Sequence, residues 1–199
     1  MVTAATELIL ASTSRYRREL LARLVRDFRA VAPQIDETPA AGEQPAGLAE
    51  RLAQAKALAV AERYASACVI GSDQVAELDG RAIGKPGSRD RAIEQLVASS
   101  GRRVVFHTAV CVASRRLDGS VQTAIAVDRT DAVFRELTNE EIARYVDRES
   151  PLDAAGSFKS EGLGIALFER IETSDPTALV GLPLIALASL LRNAGFVLP

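Results

Sequence analysis

The chain has 199 residues, 48% of them hydrophobic and 25% charged, which is enough for one well-buried core and excludes a disordered, collagenous or membrane-embedded chain. With 24 Lys and Arg against 26 Asp and Glu the net charge is -2, too balanced for the electrostatic footprint of a general nucleic-acid binder, so no nucleic-acid polymer is expected as a partner. Cys68 and Cys111 sit in apolar, β-branched surroundings and read as buried free thiols of a reducing compartment, with neither a disulfide framework nor a zinc motif. The segment Met1 to Ala11 lacks a basic flank and has only the short apolar run Leu8-Ile9-Leu10. Gly181 and Pro183 interrupt the longest uncharged stretch, Pro176 to Leu191, which falls short of the roughly 20 apolar residues of a membrane span. The expectation is a cytoplasmic protein with no membrane partner.

In chain order, a short strand over Glu7 to Leu10 leads through Ala11-Ser12-Thr13-Ser14 into an amphipathic helix from Arg15 to Arg26, with Ser14 as N-cap. The polar loop and the free N–H groups of the first turn make a place for an anion. A second helix over Gly47 to Tyr64 carries Lys56. Cys68-Val69-Ile70 is an apolar strand ending in Gly71-Ser72-Asp73-Gln74, which places an acid where a buried strand leaves the core. Asp79-Gly80 marks a type I′ hairpin, a helix covers Ser88 to Ser99, and Val104 to Ala113 and Val121 to Phe134 form a long hairpin joined around Asp118-Gly119. Thr138 and Glu141 have capping-box spacing and open a helix to Arg148. A glycine-rich stretch from Ala155 to Gly164 precedes a strand over Ala166 to Ile171, and a helix over Pro183 to Asn193 closes the chain with Gly195 as its stop. Strands and helices mixed in this way indicate an α/β or α+β fold with a sheet of mixed direction.

The groups able to carry chemistry are spread along the chain. Arg15, Arg17 and Arg18 crowd a helix N-terminus that is already partly positive, so either something negative offsets them or they form a solvated face. Lys56 and Lys85 have surface readings of equal weight. Asp36, Glu37 and Asp73 are oxygen donors suited to a hard divalent cation, although Asp36-Glu37 between Pro33 and Pro39 also reads as a simple turn. Asp73, flanked by Ile70 and Val75, needs a partner if buried. His107, the single histidine, reads as an ordinary strand residue. No P-loop or Rossmann fingerprint is present, which removes kinases, classical NTPases and dehydrogenases, and a nucleophile-elbow serine is also missing.

Taken together and in order, Leu8-Ile-Leu-Ala-Ser-Thr-Ser14, Arg17-Arg18-Glu19-Leu20-Leu21, Asp36-Glu37-Thr38, Leu52-Ala-Gln-Ala-Lys56-Ala57, Gly71-Ser72-Asp73-Gln74, Gly84-Lys85-Pro86, Ala155-Gly-Ser-Phe-Lys-Ser-Glu-Gly-Leu-Gly164 and Val180-Gly-Leu-Pro-Leu184 resemble the Maf family of nucleotide pyrophosphatases from about Glu7 to Gly195. Gly-Ser-Asp-Gln and Gly-Ser-Phe-Lys-Ser-Glu-Gly resemble its YceF-like branch, which acts on 7-methyl-GTP. Arg15, where relatives usually have proline, and Thr108-Ala109, where they often have Thr-Gly, are departures that bear only on local geometry. The resemblance implies a single domain over residues 1–199, an elongated mixed sheet of the ITPase-like type flanked by helices, and a cleft between two lobes. It also implies cleavage of a nucleoside triphosphate between its α and β phosphates with a divalent cation, Mg2+ or Mn2+, and a homodimer.

Carried over residue by residue, the resemblance makes Asp73 the acid that activates water. Ser12, Ser14, Arg17, Lys56 and Lys85 hold the phosphates, and Glu37 with Asp73 holds the metal. Tyr16, Gln74 and Glu161 select the base. The last assignment has a physical basis: guanine offers N1–H and NH₂ donors to an acceptor-only carboxylate, and N7 methylation makes the ring cationic, which favours an aromatic face. Two alternatives stay open at the level of sequence, a broader pyrophosphatase that includes UTP and dTTP, and a non-catalytic nucleotide sensor in cell-division control.

Overall fold

In the computed structural model residues 7–64, 66–115 and 119–199 are described. The strands are β1 (Leu8–Ala11), β2 (Arg29–Ala30), β3 (Cys68–Leu78), β4 (Arg81–Ile83), β5 (Arg103–Arg115), β6 (Val121–Phe134) and β7 (Phe168–Glu172). The helices are α1 (Arg15–Leu21), α2 (Pro45–Ala61), α3 (Arg89–Ser99), α4 (Asn139–Glu149) and α5 (Leu184–Asn193). All seven strands share one sheet in the order β2-β1-β3-β5-β6-β7, with β4 paired to β3 off that path. Only the β1 pairings with β2 and β3 are parallel, so the sheet is mixed, as the sequence pattern indicates. Every residue of β1 is buried, in keeping with its unbroken apolar run and with helices on both faces.

One edge of β3 determines where the chemistry lies. Its first residues pair with β1, from Leu8↔Cys68 to Ala11↔Gly71, and its last pair with β4, from Ala76↔Ile83 to Leu78↔Arg81. Residues 72–75 between them are laddered only to β5 on the opposite edge. Asp73 is therefore not at a strand end, as the sequence suggests, but in mid-strand opposite Ala109, at a gap in the sheet edge. The strand continues past Gln74 because β5 keeps pairing with it down to Val105↔Glu77.

The core lies in three clusters. On one face α2 packs Ala49, Ala53 and Ala57 against Ile9, Val69, Ala109 and Cys111. On the other, α1 and α5 bring Leu20, Leu21, Leu187 and Leu191 against Leu10, Ile70 and Val110. A third cluster, around Phe106, Phe134 and Phe158, joins the far halves of β5 and β6 to α3 and α4. The long strands run through both regions, and a cleft opens between the two lobes. Small residues let α2 come very close to β3: a Cβ added at Gly71 would stand 2.2 Å from the Ala53 carbonyl oxygen and 2.6 Å from the Ala57 nitrogen.

Local signals are obeyed closely. Ser14, Ser88 and Thr138 cap α1, α3 and α4, the last with a complete capping box to Glu141. Asp79 and Gly80 have φ of 52° and 75°, as a type I′ turn demands. Differences fall at element ends. Helix α1 stops at Leu21 instead of reaching Arg26, because tight bonds from Arg23 N to Leu20 O (3.0 Å) and Leu24 N to Leu21 O (2.9 Å) end it, while Leu24 and Val25 still pack on the α1 cluster. Helix α2 is shifted to begin at Pro45 and end at Ala61, and β7 starts at Phe168 because 163–167 form a 3₁₀ turn. Residues 1–6 of the opening segment, and Asp118 of the turn expected between β5 and β6, lie outside the described residues. No helix among the described residues is long and apolar enough to cross a membrane.

Two outcomes are expected from this packing. Gly71→Ala should destabilise the protein by about 1–3 kcal/mol or more in urea unfolding, since backbone rather than a flexible side chain blocks the added methyl. Cys68 and Cys111 are buried, and desolvation pushes both thiols up to about 12. A thiol reagent at pH 8 should therefore leave the native protein unmodified and label both cysteines in denaturant.

Candidate active site

The loop between β1 and α1 brings two hydroxyls to one wall of the cleft. Ser12 Oγ accepts from Ser14 N (3.1 Å) and Ser14 Oγ accepts from Arg17 N (3.4 Å), so each hydroxyl retains its own proton to donate to an anion. One turn on, Arg17 Nε donates to the Gly181 carbonyl oxygen (2.8 Å), which also accepts from Ser72 Oγ (3.0 Å). Burial lowers the Arg17 pKa from its ordinary value, opposed by the charges of Asp73 and Glu37; those two carboxylates are its electrostatic counterparts. Arg15 also lines the cleft but is exposed, beside Glu19 at 3.5 Å, whereas Arg18 is exposed and does not line it.

The centre of the site is Lys56. Its side chain is only 6% exposed, carried into the cleft by the close approach of α2 to β3. Nζ donates to Asp73 Oδ1 at 2.6 Å and pairs with Glu37 Oε1 at 2.7 Å. Asp73 is 11% exposed and Glu37, on the loop before α2, 58%. Partial burial works to raise the Glu37 pKa, but the hydrogen bond and charge of Lys56, with Lys85 and Arg17, outweigh it and hold the carboxyl below its ordinary value. Lys85 is exposed just after β4 and faces the same carboxylate from the second lobe.

Further along the cleft, Gln74 Nε2 lies within hydrogen-bond distance of Thr108 Oγ1 (3.0 Å) and the carbonyls of Ala178 (2.9 Å) and Leu179 (3.0 Å). Gln74 thus ties β3 to the segment that presents Gly181. Tyr16 is half-buried, with the Arg15 guanidinium 5.0 Å above its ring. Glu161 is exposed in a turn, with Ser160 Oγ 3.5 Å from its carboxylate. The cleft encloses about 1000 Å³, and Ser12, Ser14, Tyr16, Arg17, Glu37, Lys56, Asp73, Gln74, Lys85 and Glu161 all line it.

Four residues that the sequence singled out stand apart. Asp36 makes a local turn, accepting from Thr38 N (2.9 Å), and does not line the cleft. His107 pairs with Glu77 Oε2 at 2.7 Å and is likewise absent from the cleft wall. The cysteines are core residues. What sequence reasoning missed is the Gly181 carbonyl, the anchor of Arg17 and Ser72. The one signal for it in the sequence is the glycine before Leu182-Pro183; in the structure it stands at φ 120°, a conformation that a side chain at this position would strain.

Among the described residues no three acidic, histidine or cysteine side chains cluster as a metal site. Glu37 and Asp73, converging on one Nζ, are the pair of oxygen donors that could hold a hard cation whose remaining ligands come from phosphate and water.

The family description "Maf-like protein" matches residues 7–194. The chain belongs to the Maf family. Among its relatives, the protein named 7-methyl-GTP pyrophosphatase in Xanthomonas oryzae pv. oryzae (strain MAFF 311018) is 60% identical over 192 residues, covering 96% of this chain and 98% of its own length. That of Cupriavidus pinatubonensis, named in the same way, is 54% identical over 195 residues, covering 98% and 96%. A solved structure, the Staphylococcus aureus Ham1 protein, aligns over 94% of this Maf chain and 99% of its own at 15% identity with a TM-score of 0.49, a likeness too loose to inform the chemistry of the cleft.

The pairing of Glu37 with Lys56 in this Maf cleft has a pH signature. A carboxyl whose folded pKa is depressed adds stability that is fully present above its ordinary 4.5 and is lost as pH falls through the lower folded value. In an NMR titration the Glu37 carboxyl should show a midpoint below 4.5, and Lys56→Met should move that midpoint upward.

Proposed function

We propose that this Maf protein hydrolyses 7-methyl-GTP, or a closely similar modified purine nucleotide, to the nucleoside monophosphate and pyrophosphate. The observation that carries the reading is the Asp73–Lys56–Glu37 assembly facing Arg17 and Lys85 in one cleft that also holds Tyr16 and Glu161. The names of its relatives support the same substrate.

In this reading the triphosphate lies along Ser12, Ser14, Arg17, Lys56 and Lys85. Asp73 accepts a proton from water as the water oxygen bonds to phosphorus. The bridging bond between the α and β phosphates breaks, and pyrophosphate leaves with the electron pair. Lys56, Arg17 and Lys85 are aimed at the charge that develops on the leaving oxygens, where fixed cations lower the barrier most. Glu37 and Asp73 would hold a divalent cation, Mg2+ or Mn2+, which supplies charge neutralisation on the phosphates. A bound triphosphate would give Lys56 a third anionic partner, so its bridge between the carboxylates is a resting arrangement.

At the other end, Glu161 accepts from the N1–H and NH₂ of guanine, and Tyr16 offers the cationic ring the face opposite Arg15. Gln74, through its bonds to the 178–179 carbonyls, acts on the shape of the pocket wall. The buried free thiols favour the cytoplasm as its location.

Pyrophosphate release across 7-methyl-GTP, GTP, UTP and dTTP, with Mg2+, Mn2+ or Co2+, tests the proposal. Fastest turnover of the methylated nucleotide is expected. Equal turnover of all four would remove the branch assignment and leave a broad pyrophosphatase, and no release with any metal would favour a sensor. Asp73→Asn should lower kcat about 100- to 10,000-fold while nucleotide still binds. Glu161→Gln should weaken the preference for the methylated base more than it slows phosphate hydrolysis.

A further inference from the structure

The proposed base-reading carboxylate, Glu161, sits at the tip of a tight turn, and what fixes that turn lies behind the cleft wall. On its N-terminal side Phe158 is locked in the aromatic cluster, with ring centroids 5.2 Å from Phe106 and 4.8 Å from Phe168. The next residue, Lys159, donates its backbone N–H to Tyr145 Oη (3.0 Å), and its Nζ reaches the carbonyls of Glu149 and Ser150 at the end of α4 (3.3 Å each). Across the turn, Leu163 N donates to Glu149 Oε2 (2.8 Å). The turn is closed on itself by Gly162 N and Gly164 N, both donating to Lys159 O (3.2 and 3.1 Å).

The turn has no room at Gly164, where an added Cβ would stand 2.5 Å from the Lys159 carbonyl oxygen and 2.9 Å from its nitrogen. Tyr145 is buried and, like Glu149, does not line the cleft, yet its hydroxyl feels the charges of Glu149 and Glu161 and the Tyr16 phenol. The end of α4 therefore backs the turn that carries Glu161, while the phosphate-facing groups come from the β1–α1 loop, α1, α2 and the segment after β4.

Resting on that functional reading, we propose that Tyr145 and Glu149 are positioning residues for base selection: they hold Glu161 through the two ends of its turn and touch neither phosphate nor reacting atoms. A residue that acts in this way raises KM for the base-bearing substrate, leaves kcat alone, and has no effect on a ligand that lacks a base. Pyrophosphate, the product, is such a ligand.

The experiment measures KM and kcat for 7-methyl-GTP, and the inhibition constant of pyrophosphate, for the wild type, Tyr145→Phe, Glu149→Ala and Glu149→Gln. Each loss of one hydrogen bond to the turn should raise KM about tenfold, with kcat and the pyrophosphate constant unchanged. Glu149→Gln keeps an oxygen acceptor for Leu163 N and should restore KM toward the wild-type value. Tyr145→Phe preserves the aromatic packing, so it reads the turn without a folding defect. Wild-type KM in both Tyr145→Phe and Glu149→Ala overturns the inference and leaves the proposed function standing. Parallel loss of kcat and of pyrophosphate binding also overturns it, as general structural damage. A wild-type enzyme that does not turn over 7-methyl-GTP overturns the functional reading and this inference with it.

Discussion

One ammonium holds two carboxylates from different parts of the chain within 2.7 Å, and the rest of the site is arranged around it. Lys56 and Asp73 are both almost fully withdrawn from water, where desolvating two charges cancels much of their attraction. Such a pair is a weak source of stability, but removing Lys56 costs about 3–5 kcal/mol, because Asp73 is left buried without its cation. Its geometry depends on the absence of a side chain at Gly71, which lets the alanine face of α2 settle against β3. Lys56 then enters the cleft from one face of the sheet while Asp73 meets it from the strand itself.

The sheet supplies the opening. Had β1 continued beyond Ala11, or β4 beyond Ile83, the edge of β3 at residues 72–75 would be covered and the cleft closed. Instead β1 gives way to the Ser12–Ser14 loop and α1 at the point where Asp73 emerges, so hydroxyls, Arg17 and the acid meet at the end of a parallel pair of strands. A strand that changes neighbours along its length thus exposes an acid without leaving the ladder on its other edge.

The Gly181 carbonyl extends the same logic across 164 residues of chain. Its segment is secured by carboxylates outside the site. Asp175 accepts from Thr177 Oγ1 (2.6 Å) and, at the start of α5, from Ile185 N (2.6 Å), and Asp128 on β6 accepts from Thr173 Oγ1 (3.1 Å). Arg17 is thereby oriented by backbone fixed from the far edge of the sheet. The two lobes share the work unequally: the first carries the acid, hydroxyls and most of the cations, and the second brings Lys85, the Glu161 turn and the α4 frame behind it.

Much of this was legible in the amino-acid order because it is local. Caps at Ser14, Ser88 and Thr138, the Asp79-Gly80 turn and the long antiparallel pair depend on neighbours a few residues apart. The site residues that the family resemblance carried over were legible through short motifs recurring in order, and these line one cleft, whereas Asp36 and His107 do not. Charge alone could not separate Arg17 from Arg15 and Arg18, nor Glu37 from Asp36, since those choices rest on which side chain faces Gly181 or Lys56. Nor could it place Asp73 in mid-strand, because residues 72–75 are held in the ladder only by β5, more than 30 residues away. Local residue order specifies the elements, their mixed order and the inventory of charges. Tertiary structure decided which charges are buried together, because burial and partnership arise between segments that the chain order keeps apart.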